Sequence, residues 1–266
     1  MNFGRLVAIP LVGGFAVALV GIAGAGSEWW PVFKRVEIEA AKIAALSGCL
    51  LAAYSYSKGD YLRRSWLLMA ASTALLLVRD ATIIMGFDPK SKFGLVQGSI
   101  VVIGNVFAVV AIYMFGRTSK LTGLDNPWSP AKKWALTINL VLLALVLTGP
   151  SIVLGIEDLL AGDNYALTGI GSSLGDLFAF ILLAPLLLLT VALSGGVLAN
   201  TWKLLSLALV GWMGYDLVTE VLPRLYVSDV TVSVLREVLR TMACLFELSA
   251  GLCQRAIVRS AGAERK

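Results

Sequence analysis

The sequence predicts an all-α integral membrane protein with about eight transmembrane helices. Hydrophobic residues make up 58% of the 266 residues, charged residues make up only 15%, and the mean hydropathy is +0.83. A soluble surface does not tolerate this composition. Apolar runs of spanning length recur along the whole chain, and no stretch between them is long enough for a separate soluble domain. The lipid bilayer is therefore the first partner that the sequence predicts.

Four candidate helices lie in the first half of the chain, at residues 6–25, 36–57, 64–86 and 93–115. Each run has about the 20 residues that a helix needs to cross the hydrocarbon core. Turn-forming and charged residues separate the runs at positions 29–31, 58–60 and 88–89. Pro10 lies inside the first run, where its missing amide donor can kink a helix.

Four further candidate helices lie in the second half, at residues 133–155, 168–193, 201–222 and 231–255. The polar stretch 117–133 precedes them, and turn signals separate them at positions 157–164, 195–196 and 223–229. Pro150 and Pro185 lie in these runs and are candidate kinks. The sequence does not distinguish a structural role for these kinks from a functional one.

The first run has an alternative interpretation as a secretory signal. Arg5 precedes the apolar stretch, and Ala23, Gly24 and Ala25 resemble an A-x-A cleavage site. The apolar stretch is long for a signal, and the repeat described below supplies it with a counterpart in the fifth run. A membrane helix is therefore favoured, whereas cleavage would leave seven helices.

The distribution of lysine and arginine predicts the orientation in the membrane. One set of termini and loops carries 13 of these residues, and the opposite set of loops carries 5. Positively charged loops are retained on the cytoplasmic side. Both termini are therefore predicted to be cytoplasmic, in a bacterial inner membrane, and an even number of spans agrees with eight.

An internal repeat is predicted at an offset of about 136 residues. Trp66 precedes Asp80 by the same spacing as Trp202 precedes Asp216, and the four runs of the first half fall on the four of the second. Four spans per unit preserve orientation, which gives two parallel repeats. The predicted units are residues 1–125 and 126–266.

Charged residues inside the runs are the main functional signal, since each costs at least about 2.5 kcal/mol at a helix centre. Counted from shared turns at about 1.5 Å per residue, Lys42 and Asp80 lie at one height and are expected to pair. By the same counting, Asp176 and Asp216 share a layer in the outer third of the membrane. Arg236 is placed to compensate these two acidic residues.

Four more residues extend this layer. Arg240 lies one turn deeper than Arg236 on the same helical face, and Glu247 continues that face toward the membrane centre. Glu220 and Trp212 extend the face of Asp216 by one turn in each direction. Glu247 is the strongest functional candidate by depth, because no partner of equal height is evident from the sequence.

Three interpretations of the charged layer remain open. It binds or transports a polar ligand, or its ion pairs hold the helices together, or groups near the interface extend to water along their aliphatic stems. The candidate ligand-binding residues are Lys42, Asp80, Asp176, Trp212, Asp216, Glu220, Arg236, Arg240 and Glu247.

Several other classes of function are excluded or disfavoured. The chain has no histidine, which removes the usual haem and zinc ligand, and it carries no Walker, GxSxG or HExxH motif, so neither an enzyme nor a cofactor or metal site is expected. The basic residues lie in separate loops, which argues against nucleic acid. Cys49, Cys244 and Cys253 are interpreted as packing residues. An aromatic belt at the membrane interfaces is the expected role of Trp29, Trp30, Trp66, Trp128 and Trp202.

Two functional hypotheses follow from these observations. The first is a membrane-embedded sensory or accessory module that binds a ligand or a membrane protein partner and passes a change to a cytoplasmic protein partner. The second is a small secondary transporter with a site at the repeat interface. The transporter hypothesis predicts a polar cavity that reaches past the middle of the membrane, below Arg240. A third, purely structural role in a membrane complex also remains open.

Overall fold

The computed structural model describes residues 3–87, 92–121, 128–163, 166–193 and 198–263. Of these residues 89% are helical, and none of them forms a strand, which confirms the all-α class. The helices are α1 (Phe3–Gly24), α2 (Trp30–Ala53), α3 (Tyr61–Ile84), α4 (Lys92–Leu121), α5 (Pro130–Leu160), α6 (Ala166–Ile181), α7 (Leu183–Ala192), α8 (Leu198–Glu220) and α9 (Asp229–Ala263).

Six segments of the described chain are long and apolar enough to cross a membrane, which establishes a membrane-embedded helical protein. They are Phe3–Gly24, Tyr61–Ile84, Phe93–Thr118, Pro130–Leu160, Ala166–Val191 and Asp229–Ala261. Helices α2 and α8 have 24 and 23 residues but are not among these six segments. The predicted number of eight spans therefore stays a prediction for these two helices.

The outer surfaces of α1 and α5 are apolar. Phe15 and Ile22 on α1 are 65% and 81% exposed, and Val146 and Leu160 on α5 are 68% and 84% exposed. Water would not solvate a surface of this kind favourably, whereas lipid chains would. Both helices are therefore placed to face the hydrocarbon.

Local sequence signals set the ends of several helices. Asp60 caps α3, because its side chain accepts a hydrogen bond from the Leu62 amide at 2.8 Å. Gly59, just before it, has a φ of +94°, a conformation that glycine adopts without strain. Ser129 caps α5, and Pro130 takes the first helical position, where its missing amide donor costs nothing.

The predicted kink at Pro185 is present as a break between α6 and α7. Pro185 has no amide hydrogen to donate to the carbonyl of Ile181, where α6 ends. Its ring packs against α4, since a Cβ built on Gly116 would lie 3.1 Å from Pro185 Cγ. Pro10 and Pro150, in contrast, lie inside continuous helices.

Six helical rods form a closed ring. In order around the ring, α2 packs on α3, α3 on α4, α4 on α6, α6 and α7 on α8, α8 on α9, and α9 on α2. Helix α1 lies outside this ring against α9, and α5 lies outside it mainly against α6. The ring positions the site, because its axis is enclosed by charged and polar faces of six different helices.

Glycine allows α2 and α9 to approach closely. A Cβ built on Gly48 would lie 2.7 Å from Leu248 Cα, and one built on Gly251 would lie 2.2 Å from the Gly48 carbonyl oxygen. Both positions contact backbone, which cannot move aside as a flexible side chain can. Small residues of this kind bring membrane helices into direct van der Waals contact.

Candidate functional site

A cavity of about 320 Å³ lies at the axis of the ring and is lined by α2, α3, α4, α6, α8 and α9. Its volume is at the lower end of the range for small-molecule sites, about 300–1,000 Å³. Eight of the nine residues singled out in the sequence line it, namely Lys42, Asp176, Trp212, Asp216, Glu220, Arg236, Arg240 and Glu247. Asp80 lies behind the cavity wall and lines a smaller neighbouring cavity.

The cavity is long and follows the helix axes. At one end it reaches Glu220, the last residue of α8, and Thr168 in the first turn of α6. At the other end it reaches Leu205 on α8 and Glu247 on α9. Leu205 and Glu220 are separated by about 22 Å along α8 at about 1.5 Å per residue. The cavity therefore extends well below Arg240, which lies two turns before Glu247 on α9.

The expected ion pair between Lys42 and Asp80 is present. Lys42 is 3% exposed and Asp80 is 7% exposed, and the Lys42 Nζ donates to Asp80 Oδ2. Arg79 joins the pair, because its Nη1 donates to Asp80 Oδ1 at 2.7 Å. The sequence reasoning missed Arg79, although its position next to Asp80 was a signal. One carboxylate thus pairs with two cations on this side of the cavity.

The expected compensation of the two aspartates by the arginines is wrong. Arg236 and Arg240 instead pair with Glu237, which is 0% exposed; the distance from Arg236 Nη2 to Glu237 Oε1 is 3.3 Å. Among the described residues, neither arginine makes an ion pair with Asp176 or Asp216. Counting residues along the sequence gives the height of each side chain in the membrane. Only the packing of α9 against its neighbours determines the rotation of this helix, and with it the position of Glu237 between the two arginines.

Asp176 and Asp216 do share a layer, as the counting predicted. Their carboxyl groups approach to within hydrogen-bonding reach of each other, and Ser172 lies within reach of Asp216. Asp216 is 8% exposed, and its Oδ2 is buried without a hydrogen-bond donor. Glu220 lies close enough to Asp216 to repel it. This side of the cavity is acidic, and within the described part of the chain no cation pairs with Asp176 or Asp216, whereas Glu220 lies near Arg224.

Glu247 has two hydrogen-bond partners that the sequence did not reveal. Cys49 Sγ donates to Glu247 Oε1 at 3.0 Å, and Thr73 Oγ1 donates to the same oxygen at 2.9 Å. The interpretation of Cys49 as a packing residue is therefore incomplete, and Glu247 is not without partners. Glu247 is 5% exposed and forms the deep end of the cavity.

Aromatic rings line the cavity between its two charged sides. The Trp212 and Tyr215 rings lie edge to face with centroids 5.8 Å apart. The Arg240 guanidinium lies over the Tyr215 ring at 5.6 Å from its centroid. The sequence reasoning selected Trp212 but missed Tyr215, whose position beside Asp216 was the available signal.

Trp66 and Trp202 are not in an interfacial aromatic belt, so that expectation is wrong for these two residues. Both are 0% exposed and pack on Phe115, with ring centroids 5.0 and 5.2 Å from it. Trp202 lies one turn beyond Leu205, the deepest lining residue of α8. The three rings form an aromatic cluster that closes the bundle below the cavity.

Comparisons with known proteins identify no relative of this chain: no family model, no curated protein and no solved structure matches it.

Proposed function

We propose that this multi-pass membrane protein binds a small polar ligand in its central cavity, as a sensory or accessory module. The unpaired carboxyl pair of Asp176 and Asp216 carries the proposal. Burial of an acidic group in a membrane protein is costly, and such groups mark binding sites or relays when no partner neutralises them. The buried Asp216 Oδ2, without a donor, provides a place for a ligand donor.

Structural pairing explains only part of the charged layer. Asp80 has two cationic partners, and Glu237 has two as well, so these two clusters are accounted for as interhelical or intrahelical ion pairs. Asp176 and Asp216 have no such explanation, whereas Arg224 lies near Glu220. The binding role is therefore proposed mainly for the acidic side of the cavity. Arg236 and Arg240 line the same cavity.

The predicted repeat sharpens this contrast. When the two halves of the chain are aligned at the repeat offset, Asp216 corresponds to Asp80. The counterparts of the two cations that pair with Asp80 are uncharged, namely Tyr215 for Arg79 and Phe178 for Lys42. We propose that one aspartate has a structural role and that the other has become available to a ligand.

Helix packing supports the proposal of two parallel units, residues 1–125 and 126–266. Helix α2 packs on α9, and its predicted counterpart α6 packs on α4; likewise, α3 packs on α4 and α8 on α9. A two-fold axis along the membrane normal would generate both pairs of contacts. Helices α1 and α5 depart from this relation, because α1 packs on α9 and α5 on α6.

We further propose eight spans in a bacterial inner membrane, with both termini cytoplasmic. The lengths of α2 and α8 suit a bilayer, and their charged residues Lys42 and Asp216 are buried inside the bundle rather than facing lipid. The glycine-mediated packing of α1 on α9, for example Gly14 against Met242, supports a retained helix rather than a cleaved signal. In this orientation the Glu220 end of the cavity faces outward.

A secondary transporter is the second candidate, and the depth of the cavity favours it. The cavity passes Arg240 and reaches Glu247, as an alternating-access site would require, and the Trp66–Phe115–Trp202 cluster below it is positioned as an inner closure. In a transporter this cluster would open toward the cytoplasm, whereas in a sensory module it would stay closed.

Thermal unfolding in lipid nanodiscs tests the binding proposal. A ligand at about 100 times its Kd stabilises the folded protein by about 2.7 kcal/mol. Screening small polar molecules against the full chain should therefore find compounds that raise the Tm, and Asp216→Asn should reduce the rise at the same compound concentration. The matched control is Asp158→Asn, an exposed site outside the cavity that pairs with Arg224. A screen without any stabilising compound would contradict the proposal.

Proteoliposomes distinguish the two candidates once a ligand is found. A transporter exchanges labelled ligand across the membrane in a counterflow assay, whereas a sensory module binds it without exchange. The sensory proposal also expects a cytoplasmic partner protein, which crosslinking in native membranes should recover. Counterflow by the purified chain would contradict the sensory proposal and support a transporter.

A further inference from the structure

The central cavity has two walls of opposite charge. The acidic wall is formed by Asp176, Asp216 and Glu220 on α6 and α8, and the basic wall by the cavity-lining cations of α2, α3 and α9. The interactions of the Asp216 carboxyl are with Ser172, Asp176 and Glu220, all on its own side of the cavity. None of these three residues is a cation, so Asp216 is not neutralised by the basic wall.

The acidic wall has the chemistry that recognises an ammonium group. Its carboxyl oxygens are acceptors, including the buried Asp216 Oδ2, and the hydroxyl of Ser172 stands beside them. The Trp212 ring lies on the same helix as Asp216 and lines the same cavity, and an indole face attracts a cation. An anionic group at this wall would meet repulsion instead.

The basic wall has the chemistry that recognises a carboxylate or another small acid. Arg240 is held in place by Glu237 and by the Tyr215 ring, and its Nε is buried without an acceptor. Arg236 lines the same wall one turn nearer the mouth. Asp80 and Glu37 also lie near Arg240, but Glu237 is shared by two arginines and the Arg240 Nε has no acceptor, so this wall keeps donor capacity for a ligand.

We propose that the ligand is a small zwitterion, whose ammonium group lies against Asp176 and Asp216 and whose acidic group lies against Arg240 and Arg236. This inference rests on the proposed binding function and adds the ligand class. A simple cation would leave the arginine donors without an acceptor, and a simple anion would leave the acidic wall without a donor. At about 30 Å³ per water-sized group, the cavity accommodates a ligand of up to about ten non-hydrogen atoms.

Matched triplets of compounds test the ligand class on the full chain in nanodiscs. Each triplet contains an amino acid, the amine that lacks its acid and the acid that lacks its amine; alanine, ethylamine and propionate form one, and α-, β-, γ- and δ-amino acids supply the others. Isothermal titration and Tm shifts measure binding. For at least one triplet, the zwitterion should bind about tenfold or more tightly than either of its fragments.

Two charge variants then separate the walls. Asp216→Asn should weaken binding of the zwitterion by about tenfold and leave the weak binding of the acid unchanged. Arg240→Gln should weaken the zwitterion similarly and leave the weak binding of the amine unchanged. Glu237 keeps Arg236 as a partner in the second variant; if that variant does not fold, Arg236→Gln, in which Glu237 keeps Arg240, takes its place.

The possible failures are distinguishable. Equal binding of the amine and the zwitterion would overturn the inference in favour of a cation site, and equal binding of the acid would do so in favour of an anion site; the proposed binding function would survive both. Binding of compounds that belong to none of the three classes, with no response to the triplets, would also overturn it. No binding by any compound would overturn the inference together with the binding function.

Discussion

Asp80 and Asp216 follow the buried residues Trp66 and Trp202 at the same spacing, yet of the two only Asp80 has cationic partners among the described residues. Lys42 and Arg79 both donate to Asp80, whereas Asp216 meets the carboxyl group of Asp176. Both aspartates are more than nine-tenths buried. Because the two aspartates are equally buried but differently paired, neutralising one should change the stability of the protein differently from neutralising the other.

Asp80→Asn should destabilise the protein, because it removes the carboxylate that pairs with the buried Lys42 and with Arg79. Removing one partner of a buried ion pair costs about 3–5 kcal/mol. Asp216→Asn should cost little or increase stability, since it removes repulsion between two carboxyl groups. Unfolding in nanodiscs and the amount of protein in the membrane measure both effects. Equal destabilisation by the two variants would show that Asp216 is structural as well.

Glu237→Gln should destabilise the protein by about 3 kcal/mol or more. Glu237 is fully buried and is the carboxylate that pairs with both Arg236 and Arg240. Glu157→Gln, on α5, is the control, since Glu157 is exposed and makes no described ion pair. Chemical unfolding of the two variants in parallel gives the difference. A loss no larger than that of the control would mean that the arginines find other partners.

Gly48→Ala should destabilise the contact between α2 and α9. The added Cβ would meet Leu248 Cα at 2.7 Å, and overpacking of this kind costs about 1–3 kcal/mol. Gly104→Ala is the matched control within a helix, because the Cβ it adds would lie 3.5 Å or more from its neighbours, an ordinary van der Waals contact. That variant should be neutral or slightly stabilising, since alanine favours helix. The Tm values of the two variants in nanodiscs should therefore move apart.

The proposed orientation predicts which side of the membrane each exposed position faces. The three native cysteines are buried, so an introduced cysteine can be labelled selectively. Tyr226→Cys, at a fully exposed position, should react with a membrane-impermeant maleimide in intact cells. Ser260→Cys, also exposed, should react only after permeabilisation. The reverse labelling pattern would invert the topology, and labelling of both positions from one side would rule out an odd number of spans between them.

The sequence by itself determined the class of the protein, the positions of its long helices and the height of its charged residues. Hydrophobic composition and run length follow from the thickness of the bilayer, and depth follows from the constant rise of a helix. For this reason the counting correctly placed Lys42 beside Asp80 and Asp176 beside Asp216.

Only the tertiary structure decided which residues at one height touch each other. The sequence does not fix the rotation of each helix about its axis or its neighbours in the ring, because apolar side chains cover nearly all faces of a membrane helix. For this reason Glu237, and not Asp216, forms the ion pairs with the two arginines. Likewise, Cys49 and Thr73 donate hydrogen bonds to Glu247, which the sequence left without a partner. The rotation of their helices also explains why Trp66 and Trp202 are buried inside the bundle and not in the expected interfacial belt.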